Sequence, residues 1–129
     1  MEIEVGEYVR TEYGEIEKVV CIYDKRYMNE EGNITRFNEI KSHSKNLINL
    51  IEDEDIVILE YKSPKYRERI TRRFEVSKID DDIRFENSHC DFHCKVGDKK
   101  ITDTICKNIK IKSIVTHKQF SNIEYKVEE

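Results

Sequence analysis

Along Arg69–Val76 the side chains alternate. Ile70, Phe74 and Val76 share one parity with Arg72 among them, whereas Arg69, Thr71, Arg73 and Glu75 take the other. A period of two belongs to a strand with one face on a core and one in water, so this segment demands a sheet with a wet side. The remaining apolar residues agree: they are mainly Ile, Val, Tyr and Phe, with no tryptophan and one proline. Such side chains suit a pleated, half-buried surface. At 129 residues the chain fits one compact domain over 1–129, or two very small units sharing a core.

The stretch "VGEYVRTEYGEIEKVVCIY" reads as two strands around a turn at Glu12-Tyr13-Gly14. A polar loop over Asp24–Asn33 then leads to a short strand at Ile34–Ile40. In "SHSKNLINLIE" the period changes, because Leu47, Ile48 and Ile51 fall on one face at helical spacing, with Ser42 or Ser44 placed to cap. Further on, Asp80-Asp81-Asp82 makes a turn and "IRFE" opens a strand. Thr116 is placed to cap a short C-terminal helix carrying Phe120, after which Ile123, Tyr125 and Val127 alternate. "IEVGEYV" at Ile3–Val9 is echoed by "IEDEDIV" at Ile51–Val57, which suggests a duplicated unit. The expected fold is mainly β, a β-rich α+β arrangement of two small SH3-like or barrel-like antiparallel units. The units span 1–41 and 52–129, joined by one helix over 42–51.

"HCDFHC", His89–Cys94, is the stretch that most resembles chemistry. On a strand, Cys90, Phe92, Cys94 and Val96 point one way and His89, Asp91, His93 and Lys95 the other. Free cysteine behaves as a small hydrophobe, so the first set is the expected core face. A turn at Glu86-Asn87-Ser88 resets the parity from the inward Ile83 and Phe85, and Gly97-Asp98 closes the far end. Zinc through His89, Cys90, His93 and Cys94 is the competing reading. Residues i and i+4 on a strand lie about 13 Å apart at roughly 3.3 Å per residue. Tetrahedral ligands at about 2.0–2.3 Å from an ion must lie within roughly 4 Å of one another. The extended reading therefore separates the four, rules out a Cys90–Cys94 disulfide and leaves no local Cys-His dyad. No cofactor is expected, and the chain is not expected to be an enzyme.

Charge gives the binding candidates. Charged residues make up 39% of the chain, yet the net charge is only −4, so the charge is local patterning rather than a polyionic tail. "KSPKYRERITRRF" concentrates Lys62, Lys65, Arg67, Arg69, Arg72 and Arg73 with Tyr61, Tyr66 and Phe74 interleaved. That combination suits phosphate attraction with base stacking, so direct nucleic-acid binding by this 62–74 hairpin is one reading. The alternative contact surface is acidic: Asp53, Glu54 and Asp55 can imitate phosphates and occupy a basic groove on another protein. The four glycines are isolated, so no phosphate-cradling loop exists. Met1–Glu4 lacks the basic start and apolar core of a leader, and no run reaches the roughly 20 apolar residues that span a bilayer. The expected setting is therefore cytoplasmic, away from membranes.

Three stretches, "VGEYVRTEYGEIEKV", "SHSKNLINLIE" and "IKSIVTHKQF", resemble in the same order a group of small accessory proteins from phages and prophages of Gram-positive, AT-rich bacteria. The match is weakest over Lys62–Cys106, and "HCDFHC" lies outside it. In that group the second unit generally opens on a motif like "VGD", where this chain has Asp53-Glu54-Asp55. The resemblance implies a non-enzymatic binder in host cytoplasm that blocks a host protein or nucleoprotein complex, most specifically an anti-CRISPR-like, anti-defence inhibitor. Tyr66, Arg67, Arg69 and Arg73, or Asp53, Glu54 and Asp55, are the candidate contacts. A homodimer through a strand edge is a further possibility under this expectation.

Overall fold

The computed structural model describes residues 2–117 and 124–126, the last three as backbone only. They contain β1 (Tyr8–Thr11), β2 (Ile16–Tyr23), β3 (Arg26–Asn29), β4 (Ile34–Arg36), β5 (Ile40–Ser44), β6 (Ile56–Lys62), β7 (Ile70–Ile79), β8 (Asp82–Glu86), β9 (Asp91–Lys95), β10 (Lys107–Val115) and β11 (Glu124–Lys126). These build two antiparallel sheets, ordered β4-β3-β2-β1-β5 and β11-β10-β6-β7-β8-β9, the architecture expected of a mainly β chain. No helix of the described residues is long and apolar enough to cross a membrane.

Set β11 aside and the two sheets have one topology, with β6–β10 standing where β1–β5 stand. The sequence echo marks the same backbone turn in both. Gly6 has φ 97° and Glu54, 48 positions later, φ 70°. Gly6 N donates to Val19 O at 2.9 Å and Glu54 N to Val76 O at 3.0 Å. The return bonds also correspond, Val19 N to Glu7 O and Val76 N to Asp55 O, both 2.9 Å. In each copy the carboxylate just before the strand closes the turn: Glu4 N donates to Glu7 Oε2 at 2.6 Å and Glu52 N to Asp55 Oδ2 at 2.8 Å. Glycine adopts the left-handed conformation freely, whereas Glu54 holds it at a cost of roughly 1–2 kcal/mol.

Three expectations need correcting or placing. The connecting helix over 42–51 does not form. Pairing of β5 with β1, from Tyr8↔Ser44 to Thr11↔Ile40, draws residues 40–44 into the sheet. Only Leu47–Leu50 winds, as one 3₁₀ turn, and Asn46, not Ser42 or Ser44, accepts from Ile48 N. Ile48, Leu50 and Ile51 are buried all the same, so the apolar spacing reported burial rather than a helix. The polar stretch 24–33 is not a plain loop either. It holds β3, whose Tyr27 is fully buried with its hydroxyl donating to Glu17 at 2.5 Å. The short C-terminal helix carrying Phe120 falls outside the described residues, while Thr116, its expected cap, donates its hydroxyl to Gly14 O at 2.6 Å.

The larger core lies on one face of the second sheet. Val57, Leu59, Phe74, Ile83, Phe85 and Phe92 supply it, and Ile48, Ile51 and Ile101 close it. Phe92 meets Tyr61 edge-on at 5.0 Å and Phe74 at 5.4 Å between ring centroids. The first sheet has a smaller core of Val9, Val19, Tyr27 and Ile40, and its Ile16 joins the larger one.

Candidate functional site

Strand β9 answers the question raised by "HCDFHC". Phe92 and Cys94 are buried and Cys90 is half-buried, while His89, Asp91, His93 and Lys95 are exposed. The reset of parity comes from a four-residue turn, Asn87–Cys90, between the paired residues Glu86 and Asp91. Asn87 Oδ1 accepts from His89 N and Cys90 N at 2.7 and 2.9 Å. At the far end Gly97, with φ 98°, follows Lys95, whose amide donates to Asp98 Oδ2. Val96 departs from the expected inward set, being 37% exposed where the strand gives way to this turn. His89, Cys90, His93 and Cys94 therefore do not converge, and no group of three or more ligating side chains assembles among the described residues.

The sulfurs of Cys94 and Cys106 are shielded. Burial pushes the Cys94 thiol up to about 12, and burial first, then Asp103 and Cys90, raises Cys106. Tyr61 is pushed up to about 12 by burial and by its contact with Cys90 Sγ at 3.4 Å. At pH 8 a thiol of pKa about 12 is ionised to about one part in ten thousand, against about a quarter for an ordinary exposed thiol. In a timed reaction with a thiol-disulfide reagent, exposed Cys21 should react first and Cys94 only after unfolding. Modification of Cys94 at the rate of Cys21 in the native protein would refute the inward orientation.

The positive charge is gathered instead. Lys62 at the end of β6 sits directly opposite Lys107 on β10. The 63–69 loop lies beside them, because Arg69 Nη2 donates to Asn108 O at 2.7 Å. Tyr66 is 56% exposed on that loop, with Lys65 and Arg67 exposed around it. Farther along β10 come Lys110 and Lys112, the latter 3.8 Å from Glu60, which also takes Arg69. Across the same sheet Glu75, Glu86 and Asp91 stand in one cross-strand row, with Arg84 and His93 two positions along. A chain of net −4 thus gathers positive charge on the β6–β10 side of this sheet.

The basic edge leads into a cleft of about 340 Å³ between the two sheets, with Lys45, Lys99, Lys100 and Lys110 on its lining. Ile48, Ile101, Ile109 and Ile111 make much of its wall, with Tyr8 from the first sheet. The loop bearing Lys99 and Lys100 is pinned there by two amides. Asn46 Nδ2 donates to Asp98 O, and Asn49 Oδ1 accepts from Gly97 N at 2.7 Å. Lys45 is paired with Glu4 at 2.7 Å. The four lysines come from three segments, so no local pattern in the sequence marks them together. The Lys99-Lys100 pair and the alternating "KNIKIK" of β10 were the available signals.

A second constellation, built on Arg10, joins the two units. Arg10 is 1% exposed and bidentate to Asp55, Nη1 to Oδ2 at 2.6 Å and Nη2 to Oδ1 at 2.9 Å, with Nη1 also donating to Leu50 O. Asp55 also accepts from Glu52 N and from His117 N at 2.9 Å. Glu52 receives Lys41 Nζ at 3.0 Å, sits 2.7 Å from His117 Nε2 and 3.2 Å from Arg10 Nε. Burial pushes the Glu52 carboxyl up, but hydrogen bonds from His117 and Lys41 and the Arg10 charge outweigh it, leaving it below the ordinary 4.5. The unfolded chain therefore takes the proton first as pH falls, so this stabilisation is present above about pH 4.5 and lost as pH drops through the folded value. Chemical denaturation from pH 6 to pH 3 should show stability declining below about 4.5, with a shallower decline in Glu52→Gln.

The candidate contacts divide accordingly. Tyr66, Arg67 and Arg73 are exposed, but Arg69 is committed to Glu60 and Asn108. Asp55 is corrected from surface contact to buried partner of Arg10, being 0% exposed. Asp53 Oδ1 accepts from Lys78 N, and Glu54 remains exposed at its left-handed turn. The acidic surface thereby shrinks and the basic edge grows. Comparison with family models, curated proteins and solved structures finds no match for this chain.

Proposed function

We propose that this chain is a non-enzymatic, phage-type protein that occupies a host nucleoprotein complex, reaching it by direct contact with single-stranded nucleic acid. Its most specific form is an anti-defence inhibitor of CRISPR type acting in host cytoplasm. The observation that carries the reading is the basic edge: Lys62 faces Lys107 and the loop bearing Lys65 and Arg67 is tied beside them, so cations outnumber Glu60 and Glu68 there despite a net charge of −4. Such a strip attracts a phosphate backbone and steers its approach. Tyr66 beside it offers a ring for stacking. The two like-ordered sheets are read as tandem SH3-like barrels, a fold class that hosts nucleic-acid binders, and the phage type rests on the resemblance of the three stretches above.

The test is affinity capture from a Gram-positive host lysate, with and without nuclease. A stoichiometric complex that contains nucleic acid and is weakened by nuclease is the expected result. Absence of any stoichiometric partner in both samples would overturn the proposal.

A further inference from the structure

We infer that the open edge of β9 pairs with β9 of a second copy of this chain, antiparallel and centred on His93, giving a two-fold dimer. The inference goes beyond the reading of the basic edge and is independent of it, since β9 ends the second sheet on the side away from β10. Three observations carry it.

The first is the backbone. Val96 N donates to Asp81 O on the β8 side, whereas Lys95 N turns outward to Asp98 Oδ2. Backbone groups alternate in direction along a strand, so those of Asp91 and His93 face outward too, and no strand meets them among the described residues. Of the outward amides only that of Lys95 is covered, and such an edge is a template for another strand. In the dimer His93 N donates to the second copy's His93 O, and Asp91 N to the second copy's Lys95 O. The second observation is charge. Glu75, Glu86 and Asp91 lie in one row with no cation between them, and like charges directly opposite destabilise a sheet. That row ends at the open edge. Pairing about His93 sets Asp91 against the second copy's Lys95, and Lys95 against its Asp91, since both lie equally far from the centre. Each acidic row then gains a cation, and Lys95, already opposite Asp82, gains a second acid. A centre at Asp91 or at Lys95 would instead set like charges face to face. The third observation is the apolar side. The same register places Val96, 37% exposed, opposite the second copy's half-buried Cys90, and Phe92 opposite its Cys94. A five-residue edge falls short of the roughly 1,200–2,000 Å² of a standard interface, so the association is weak and concentration-dependent.

The experiment is sedimentation equilibrium of the full chain over a wide concentration range, with circular dichroism to confirm that each variant is folded. The native chain should pass from monomer to dimer as concentration rises. Asp91→Lys and Lys95→Asp, both on exposed side chains, should each weaken self-association by at least about tenfold, because each sets like charges opposite one another on both sides of the axis. An equal mixture of these two variants should associate as strongly as the native chain, since every facing pair is then of opposite sign. Asp91→Lys combined with Lys95→Asp should likewise recover self-association. His93→Pro, which removes an outward amide and no bond to β8, should remain monomeric. A native chain that stays monomeric throughout, a dimer indifferent to both single charge reversals, or a mixture that fails to associate would each overturn the inference.

Discussion

Replacing Asp55 with alanine should destabilise the protein by about 3–5 kcal/mol, the cost of leaving a buried charge without its partner. Arg10 would keep its guanidinium at 1% exposure while losing both carboxylate oxygens. The amides of Glu52 and His117 would lose their acceptor as well. For a chain of this length the expected fall in Tm is on the order of 10–20 °C. Arg10→Met combined with Asp55→Asn should recover part of the loss, because it removes the orphaned charge while the Asn carbonyl can still accept from a backbone amide. Thermal and urea unfolding of both variants measure this directly. A loss below about 1 kcal/mol for Asp55→Ala would mean that the junction between the units is not held as described.

The parts of this fold that could be read from sequence are those set by local periodicity. Alternation placed Ile70, Phe74 and Val76 on one face, although Arg72 shares that parity and its Nε is buried without a hydrogen-bond partner. The Cys90–Cys94 parity and the turn at Asn87 were legible because strand geometry and Asn turn chemistry act over a few residues. The echo at Ile3 and Ile51 was legible because each copy needs the same left-handed residue and the same closing carboxylate.

What could not be read depends on partners distant in sequence. Residues 42–44 were the expected start of the helix whose spacing lies in Leu47, Ile48 and Ile51, but β1 competes for them, and tertiary pairing decides. Asp55 looks like one of three surface acids until Arg10, 45 positions away, claims it. The cleft lysines come from three segments brought together only by the meeting of the two sheets. Arg10 itself carried a signal, a charged residue between Val9 and Thr11 on a short apolar strand, but its partner is invisible without the fold.

The proposed function requires the basic edge to hold a single strand. Engaging about four phosphates there would make log affinity fall with log salt at a slope near −3, since single strands contribute about −0.7 per phosphate. Between 50 and 200 mM salt that amounts to about a 50-fold loss. Because Arg69 is tied to Glu60 and Asn108, Lys65→Ala with Arg67→Ala is the better probe, and it should reduce the slope by roughly 1 to 1.5. The direct measurement is a fluorescence-anisotropy titration of a labelled single-stranded oligonucleotide at those two salt concentrations, with both proteins. A steep, salt-sensitive isotherm that flattens in the Lys65/Arg67 variant is the predicted result; no binding at 50 mM, or binding indifferent to salt and to both substitutions, would contradict it.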